Sequence, residues 1–383
     1  RVAWFSVVLP CLLLNYFGQG VYVIDHPNAI ANPFFLIAPS WFSLPLLIIA
    51  TVATIIASQA VIAAAFSLSK QGILLNLFPR LEVIRTSQVP GQVYVPRVNL
   101  MLAAGSLFLV IFFKTSSALA GAYGLAVNLV MIIVEVLIML VARCYWQWSI
   151  SKIFAIFSLF FLIDLIFLAS NLNKFLYGGW IPLMVAIIVF IVMMTWNMGM
   201  NKLRTCYFMN RANLKQTLTK FNHTKLHYLP NFVAVFITDP YDQSGGNFLN
   251  FLKEMEILPE IGLVVSVVVT DYPRVDKNDR YKLEKISLQI YSLEISLGFM
   301  QEMDIPQFLK SAKICGVLPF NLNLEQVLYL VENIEIKVSK KKTGLLTWQK
   351  SLFKFLMHNA VTDFKFFKLP YRRTITIGSV WSL

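Results

Sequence analysis

Residues 117–141 read SALAGAYGLAVNLVMIIVEVLIMLV, twenty-five residues of which Glu135 alone is charged. As a helix rising about 1.5 Å per residue, this run outspans the roughly 30 Å of a bilayer's hydrocarbon. Five more apolar runs flank it, at residues 4–24, 43–68, 97–113, 153–170 and 180–200, separated by short polar connections. Hydrocarbon offers no partner to backbone N–H and C=O groups, so runs of this length are expected to cross as helices. The first two hundred residues therefore read as an α-helical polytopic membrane domain, and the lipid bilayer is its first partner.

The rest of the chain follows other rules. Lys and Arg number 9 in residues 1–200 and 24 beyond, while Asp and Glu number 4 and 16, which gives net charges of +5 and +8. A boundary at 204/205 is expected, with a membrane domain over 1–204 and a polar domain over 205–383. Positive excess marks the cytoplasmic side of a membrane and its anionic surface. Nucleic acid is not expected as a partner, because no basic and aromatic module of a known kind occurs.

Orientation comes from the connections. Lys70, Arg80, Arg85 and Arg97 flank the second, Arg143 and Lys152 the fourth, and Lys202 with Arg204 follows the last span. The odd connections offer only Lys114 and Lys174. Alternate loops are then cytoplasmic, which places the polar domain inside and the Pro-rich segment from Pro27 to Pro39, with Trp41, at the outer interface.

Cys11, Cys144, Cys206 and Cys315 are scattered and suggest neither a disulfide framework nor a metal quartet. His223 and His227 have the i, i+4 spacing of metal ligands but no third ligand nearby, so a solvated pair is expected. Asn222-His223-Thr224 matches a glycosylation sequon that a cytoplasmic position voids. The chain starts at Arg1 without a polar leader, and a preceding portion is expected.

Polar residues inside the spans carry most of the functional information, because each needs a partner or water. On the second span Thr51, Thr54, Ser58 and Ala65 share one face with Gln59 beside it, and Ala53, Ala57, Ala60 and Ala64 form another side suited to close packing. The hydroxyls either bond back to their own helix or supply oxygen to a hydrated pathway. On the fourth span Gly121, Gly124, Asn128 and Glu135 share a face, and on the fifth Asp164 and Asn171 align seven apart. Glu135 and Asp164 are candidates for a proton-carrying group, an ion ligand or a neutral structural acid. Such a set suits a monovalent cation whose hydration shell it can replace, and suits a zwitterion such as an amino acid equally.

Longer motifs then supply a resemblance. Leu14-Asn15-Tyr16-Phe17-Gly18-Gln19-Gly20, Asn32-Pro33-Phe34-Phe35, Ile56-Ala57-Ser58-Gln59-Ala60-Val61-Ile62, Gly91-Gln92-Val93-Tyr94-Val95-Pro96, Ser116-Ser117-Ala118-Leu119-Ala120 with Ala122-Tyr123-Gly124, and Gly178-Gly179-Trp180-Ile181-Pro182-Leu183 follow the order of the Kup/HAK/KT potassium uptake permeases. The polar domain resembles that family in Asn231-Phe232-Val233-Ala234-Val235-Phe236, and from Leu352-Phe353 through His358-Asn359-Ala360 to Phe366-Phe367-Lys368-Leu369-Pro370.

The resemblance implies a LeuT-like, APC-superfamily fold, of which these spans are helices seven to twelve, the second half. It implies potassium uptake as a potassium and proton symport, in the plasma or cell inner membrane, with no cofactor beyond the transported ions. The main potassium ligands are expected in unwound helices that precede these spans. Thr54, Ser58 and Gln59 on helix eight, and Tyr123, Asn128 and Glu135 on helix ten, would form the opposing wall, and Asp164 joins them as a coupling candidate. Two positions depart from the family pattern: Asn128-Leu129-Val130 stands where small and hydroxyl residues are usual, and Glu135 where a neutral residue is expected. A homodimer is expected from relatives of the fold.

In the polar domain, Phe232–Thr238 and Ile261–Thr270 are β-branched runs bounded by Pro, Gly and Asp, and residues 282–296 alternate as strands do. Gly246–Met255, Ile305–Ile314 and Thr347–His358 read as helices, so an α+β or α/β domain is expected. The lysines from Lys337 to Lys342 suit a solvated loop. No phosphate loop, dinucleotide fingerprint or nucleophile elbow occurs, and Gly245-Gly246 alone is weak, so a regulatory or assembly domain is expected and not an enzyme, and the family resemblance implies a nucleotide as its ligand. A proton-coupled amino-acid permease of the same fold and a membrane-anchored sensor are the alternatives. Asn15 to Gly20 and the long tail argue against the first, and Glu135 in the bilayer against the second.

Overall fold

The computed structural model describes residues 2–85, 93–173, 175–209, 211, 213–221, 227–242, 244–276, 278–287, 289–320, 322–338 and 344–383. His223, the Asn222-His223-Thr224 triplet, Gly91-Gln92, Lys174 and Lys340 to Lys342 lie outside the described residues. Backbone contacts divide the chain into two compact units, residues 1–65 and 66–383.

In the first unit a π-helical turn over Trp4–Val8 leads into α1 (Leu9–Asp25), followed by the short α2 (Pro33–Leu36) and the first part of α3 (Ser43–Leu74). Leu14, Phe17, Leu47 and Ile56 are all exposed. A surface this apolar would be costly in water and is normal against lipid. The 32 residues of α3 make about 48 Å of helix, more than the hydrocarbon thickness. Near its polar end at Ser69-Lys70-Gln71, Phe66, Ile73 and Leu74 are buried in the second unit.

The second unit continues through a two-residue antiparallel ladder of β1 (Ile84–Arg85) and β2 (Val93–Tyr94) to α4 (Pro96–Phe113), α5 (Ser116–Cys144), α6 (Ile150–Leu172) and α7 (Trp180–Leu203). Pro96 opens α4, where its missing N–H costs nothing. Lys114, in the left-handed region at φ 57°, ends α4. Ser149 caps α6 by accepting from the Lys152 amide at 3.4 Å. With α1 and α3, these make six helices among the described residues long and apolar enough to cross a membrane, and each overlaps one expected run.

The polar region follows, with α8 (Leu214–Phe221), β3 (His227–Thr238), α9 (Phe248–Met255), β4 (Ile257–Thr270), β5 (Tyr281–Lys285), β6 (Ile290–Gly298), α10 (Ile305–Ile314), β7 (Leu328–Lys337), α11 (Thr347–His358), α12 (Asp363–Phe366) and β8 (Thr374–Ser382). The strands form one sheet in the order β5-β6-β4-β3-β7-β8, parallel except for β5. A parallel sheet with helices on both faces is α/β, which decides between the two expected classes.

The period-two alternation of β3 explains the two cores. Val235 and Ile237 point to one face, with Leu263, Val265, Leu309 and Tyr329. Ala234 and Phe236 point to the other, with Leu218, Phe248, Leu252 and Val264. Each fully buried aliphatic or Phe side chain contributes about 1.5–3 kcal/mol.

Helices α10 and α11 lie where expected, but α9 begins at Phe248 and not at Gly246. Gly245 and Gly246 hold φ of 73° and 68°, left-handed backbone that glycine adopts without strain and that a helix cannot include. Strands β7 and β8 have no counterpart in the sequence reading. None of the four cysteines forms a disulfide.

Candidate functional site

The polar faces of α5 and α6 meet. A Cβ added at Gly124 would lie 3.2 Å from Asn171 Oδ1, so the glycine lets that amide approach, and Asn171 Nδ2 donates back to Phe167 O at 3.1 Å. Further along α5, Glu135 faces the carboxylate of Asp164. Asn128 lies between these two contacts on the same face of α5. Asn128, Glu135 and Asp164 are 9%, 8% and 8% exposed. Neither oxygen of Glu135, nor Asn128 Nδ2, has a hydrogen-bond partner among the described residues. Buried groups of this kind carry a desolvation cost that only a ligand, a proton or water can relieve.

The structure does not gather every expected residue here. Tyr123 is exposed at 71%. Thr54, Ser58 and Gln59 belong to the first unit and are exposed on α3. Thr51 Oγ1 donates to Leu47 O at 2.8 Å and Thr54 Oγ1 to Thr51 O at 2.7 Å, the back-bonding that was one of the two readings for these hydroxyls. Thr195 on α7, a residue the sequence reading passed over, is fully buried with its hydroxyl unpartnered among the described residues.

A second cluster sits at the carboxyl ends of β3, β4 and β7, where the strand order reverses: from β3 the chain runs to β4 and β6 on one side, and it then crosses to β7 and β8 on the other. Open α/β sheets bind ligands at such a switch point. A cavity of about 560 Å³ opens there, lined by Trp196, Arg204, Thr238, Asp239, Val267 and Glu332 among others. Arg204 pairs with Asp239 at 3.3 Å and lies over the Tyr241 ring.

Arg211 bonds Asp242 Oδ2 and Glu332 Oε2, each at 2.9 Å, and donates to Tyr207 at 2.6 Å. Burial acts to lower the Arg211 guanidinium, but the hydrogen bond and charge of Glu332, with the charge of Asp242, hold it above its ordinary range. Burial pushes the Asp242 carboxyl up, against the Ser244 amide and the charge of Arg211, which pull it down. Asp242 accepts from Ser244 N at 2.9 Å and Gly246 N at 3.1 Å. These turn amides could have held a phosphate, but the protein's own carboxylate occupies them. The sequence shows these residues only as scattered charges around a Gly-Gly pair.

The cavity's rim joins the membrane helices to the sheet region. Arg80 pairs with Asp363, and its guanidinium lies 4.8 Å from the Phe366 ring centroid and 5.3 Å from that of Phe367. Arg80 O accepts from Val361 N at 2.7 Å, and Arg97 donates to Asn359 O. The conspicuous segment from His358 to Pro370 is thus where the polar domain grips the connection between α3 and α4. Among the described residues, no group of three His, Cys, Asp or Glu could hold a metal ion.

Comparison with known proteins agrees with this architecture. A family model described as the K+ potassium transporter integral membrane domain matches residues 1–201, and one described as the K+ potassium transporter C-terminal domain matches residues 231–383. A probable potassium transport system protein Kup 1 of Legionella pneumophila (strain Lens) is 46% identical over 383 residues, which cover 99% of this chain and 61% of that protein. A probable potassium transport system protein Kup 2 from the Philadelphia 1 strain of the same species is 40% identical over 385 residues, covering 100% of this chain and 61% of that protein. The chain thus spans about three fifths of the length of the curated relatives it matches.

Proposed function

The chain belongs to the K+ potassium transporter family, and on that premise we propose that the protein takes up potassium by secondary active transport, as a potassium and proton symporter. The observation that carries this reading is the family match over the membrane helices, together with the buried polar face those helices enclose between α5 and α6. The proposed arrangement is LeuT-like, with a membrane domain over 1–204 in the plasma or cell inner membrane and a cytoplasmic domain over 205–383. Thr54, Ser58, Gln59, Tyr123, Asn128, Glu135 and Asp164 would line the pathway or couple it, and rocking between repeats would alternate access.

The intact protein, expressed in cells stripped of their own potassium importers, is expected to rescue growth at low external potassium. It is also expected to take up rubidium in a manner that a protonophore abolishes. Verified membrane insertion without rescue would sink the reading.

For the cytoplasmic domain we propose regulation by a small ligand in the cavity at the carboxyl ends of β3, β4 and β7, whose volume and mixed-charge lining suit a nucleotide-sized molecule. Calorimetry on the detergent-solubilised protein against common nucleotides is expected to show binding that Arg204→Ala weakens at least tenfold. Heat-silent titrations across the set would remove the proposal. Assembly as a homodimer is a proposal of the same kind, read from the mass of that sample.

A further inference from the structure

We propose that Glu135 and Asp164 form a proton-binding pair between α5 and α6, in which one protonated carboxyl donates to the other, and that this pair holds the coupling proton. The proposal rests on the transport reading for its role and on geometry for its existence. Both acids are at least nine-tenths buried, on α5 and α6, which pack against each other with Gly124 beneath Asn171, and the charge of Asp164 acts on Glu135 across that interface. Neither Glu135 oxygen has a hydrogen-bond partner among the described residues, and Asn128, on the same face of α5, presents an unpartnered amide.

Among the described residues of the elements packed against α5, no cation is placed to neutralise them. α5 packs against α4, α6, α7 and the π-helical turn Phe175–Gly179. Their described charged side chains are Arg97, Lys152, Asp164 and Lys202. Arg97 and Lys152 lie in the first turns of α4 and α6, and Lys202 in the last turn of α7. On α5 itself the nearest charge is Arg143, eight residues on, about 12 Å along the axis. Lys152 is twelve residues from Asp164, about 18 Å. Two buried carboxylates that face each other without a counterion among the described residues repel, and a proton is the smallest ligand that relieves the conflict. The shared proton also gives one of the bare Glu135 oxygens a hydrogen bond.

The shared proton can be read without transport. Dicyclohexylcarbodiimide adds to protonated carboxyls in apolar surroundings, so the intact protein in lipid vesicles is treated across pH 5–9 and the peptides holding residues 135 and 164 are followed by mass spectrometry. Labelling of at least one of the two is expected at pH 7, falling as pH rises. In Glu135→Gln the labelling of Asp164 at a given pH is expected to fall, because the neighbouring charge that favours its proton is gone.

No adduct on either residue in the wild-type protein at pH 5 would overturn the pair, as would an Asp164 profile unchanged by Glu135→Gln. The wild-type arm decides even if the variant fails to fold. In the same vesicles, Glu135→Gln and Asp164→Asn are each expected to lower rubidium uptake and to flatten the pH dependence of the flux that remains. A uniform loss of flux with unaltered pH dependence would overturn the coupling role. Wild-type vesicles that label at Glu135 or Asp164 but carry no rubidium would overturn the transport reading and the coupling role together, while the proton pair itself would stand.

Discussion

Replacing Arg211 by Met is expected to destabilise the sheet region by about 3–5 kcal/mol, the range for removing one partner from a buried charge cluster. The Arg211 side chain is 14% exposed, and its partners Asp242 and Glu332 are 0% and 8% exposed. The substitution keeps the aliphatic stem and leaves two acids in low dielectric without their cation.

The pH dependence of this loss has a definite sign. The Asp242 carboxyl is already raised in the folded protein, so the folded state holds that proton more tightly than the unfolded chain. Stability from this group therefore falls as pH rises from its ordinary value, 3.8, through the folded value, and is then level. Without Arg211 the folded value rises further. The Arg211→Met deficit should accordingly be largest at neutral and alkaline pH and shrink on acidification. Thermal unfolding of the solubilised protein at pH 5.5 and 8 checks this. A deficit of equal size at both, or none at either, would show that water already reaches the cluster.

Phe353→Ala is the second large effect, at about 3–5 kcal/mol. Phe353 is fully buried and fills the joint between α7, α11 and the sheet, among Trp196, Leu203, Ile336 and Trp381. Its ring lies 5.6 Å from that of Trp196. Gly199 on α7 makes the fit possible, since a Cβ there would run into the Phe353 ring. Deleting the ring leaves a cavity that two packed helices and a sheet cannot easily close. Tryptophan fluorescence, to which Trp196 contributes, should report a lower midpoint of thermal unfolding and a changed folded-state spectrum. An unchanged midpoint would mean that α11 repacks freely against α7.

Much of this was legible in advance because hydrocarbon imposes a simple rule. A long apolar run must be a helix, so the six spans were set by composition alone and lie within a few residues of their observed places. Helices α10 and α11 were fixed by local periodicity. The helical spacing that puts Asn128 and Glu135 on one face of α5, and Asp164 and Asn171 on one face of α6, was also local arithmetic.

What local arithmetic could not supply is which faces meet. Pairing Glu135 with Asp164 depends on how two helices rotate and slide against each other, and Gly124 beneath Asn171 fixes that register only once both helices are present. Strands β7 and β8 escaped because β7 carries charged residues where it leaves the core, and β8 is an edge strand with Thr, Gly and Ser at exposed or half-exposed positions. Their identity as strands comes from pairing with β3 and with each other. The Arg211 cluster and the grip of Arg80 on Asp363 join residues 121 and 283 positions apart, contacts that no window of sequence contains. The sequence by itself thus determined which segments enter the bilayer and where its rare polar groups stand. Only the tertiary structure decided which of those groups face one another, because burial and pairing of charge belong to the packed molecule and not to any single segment.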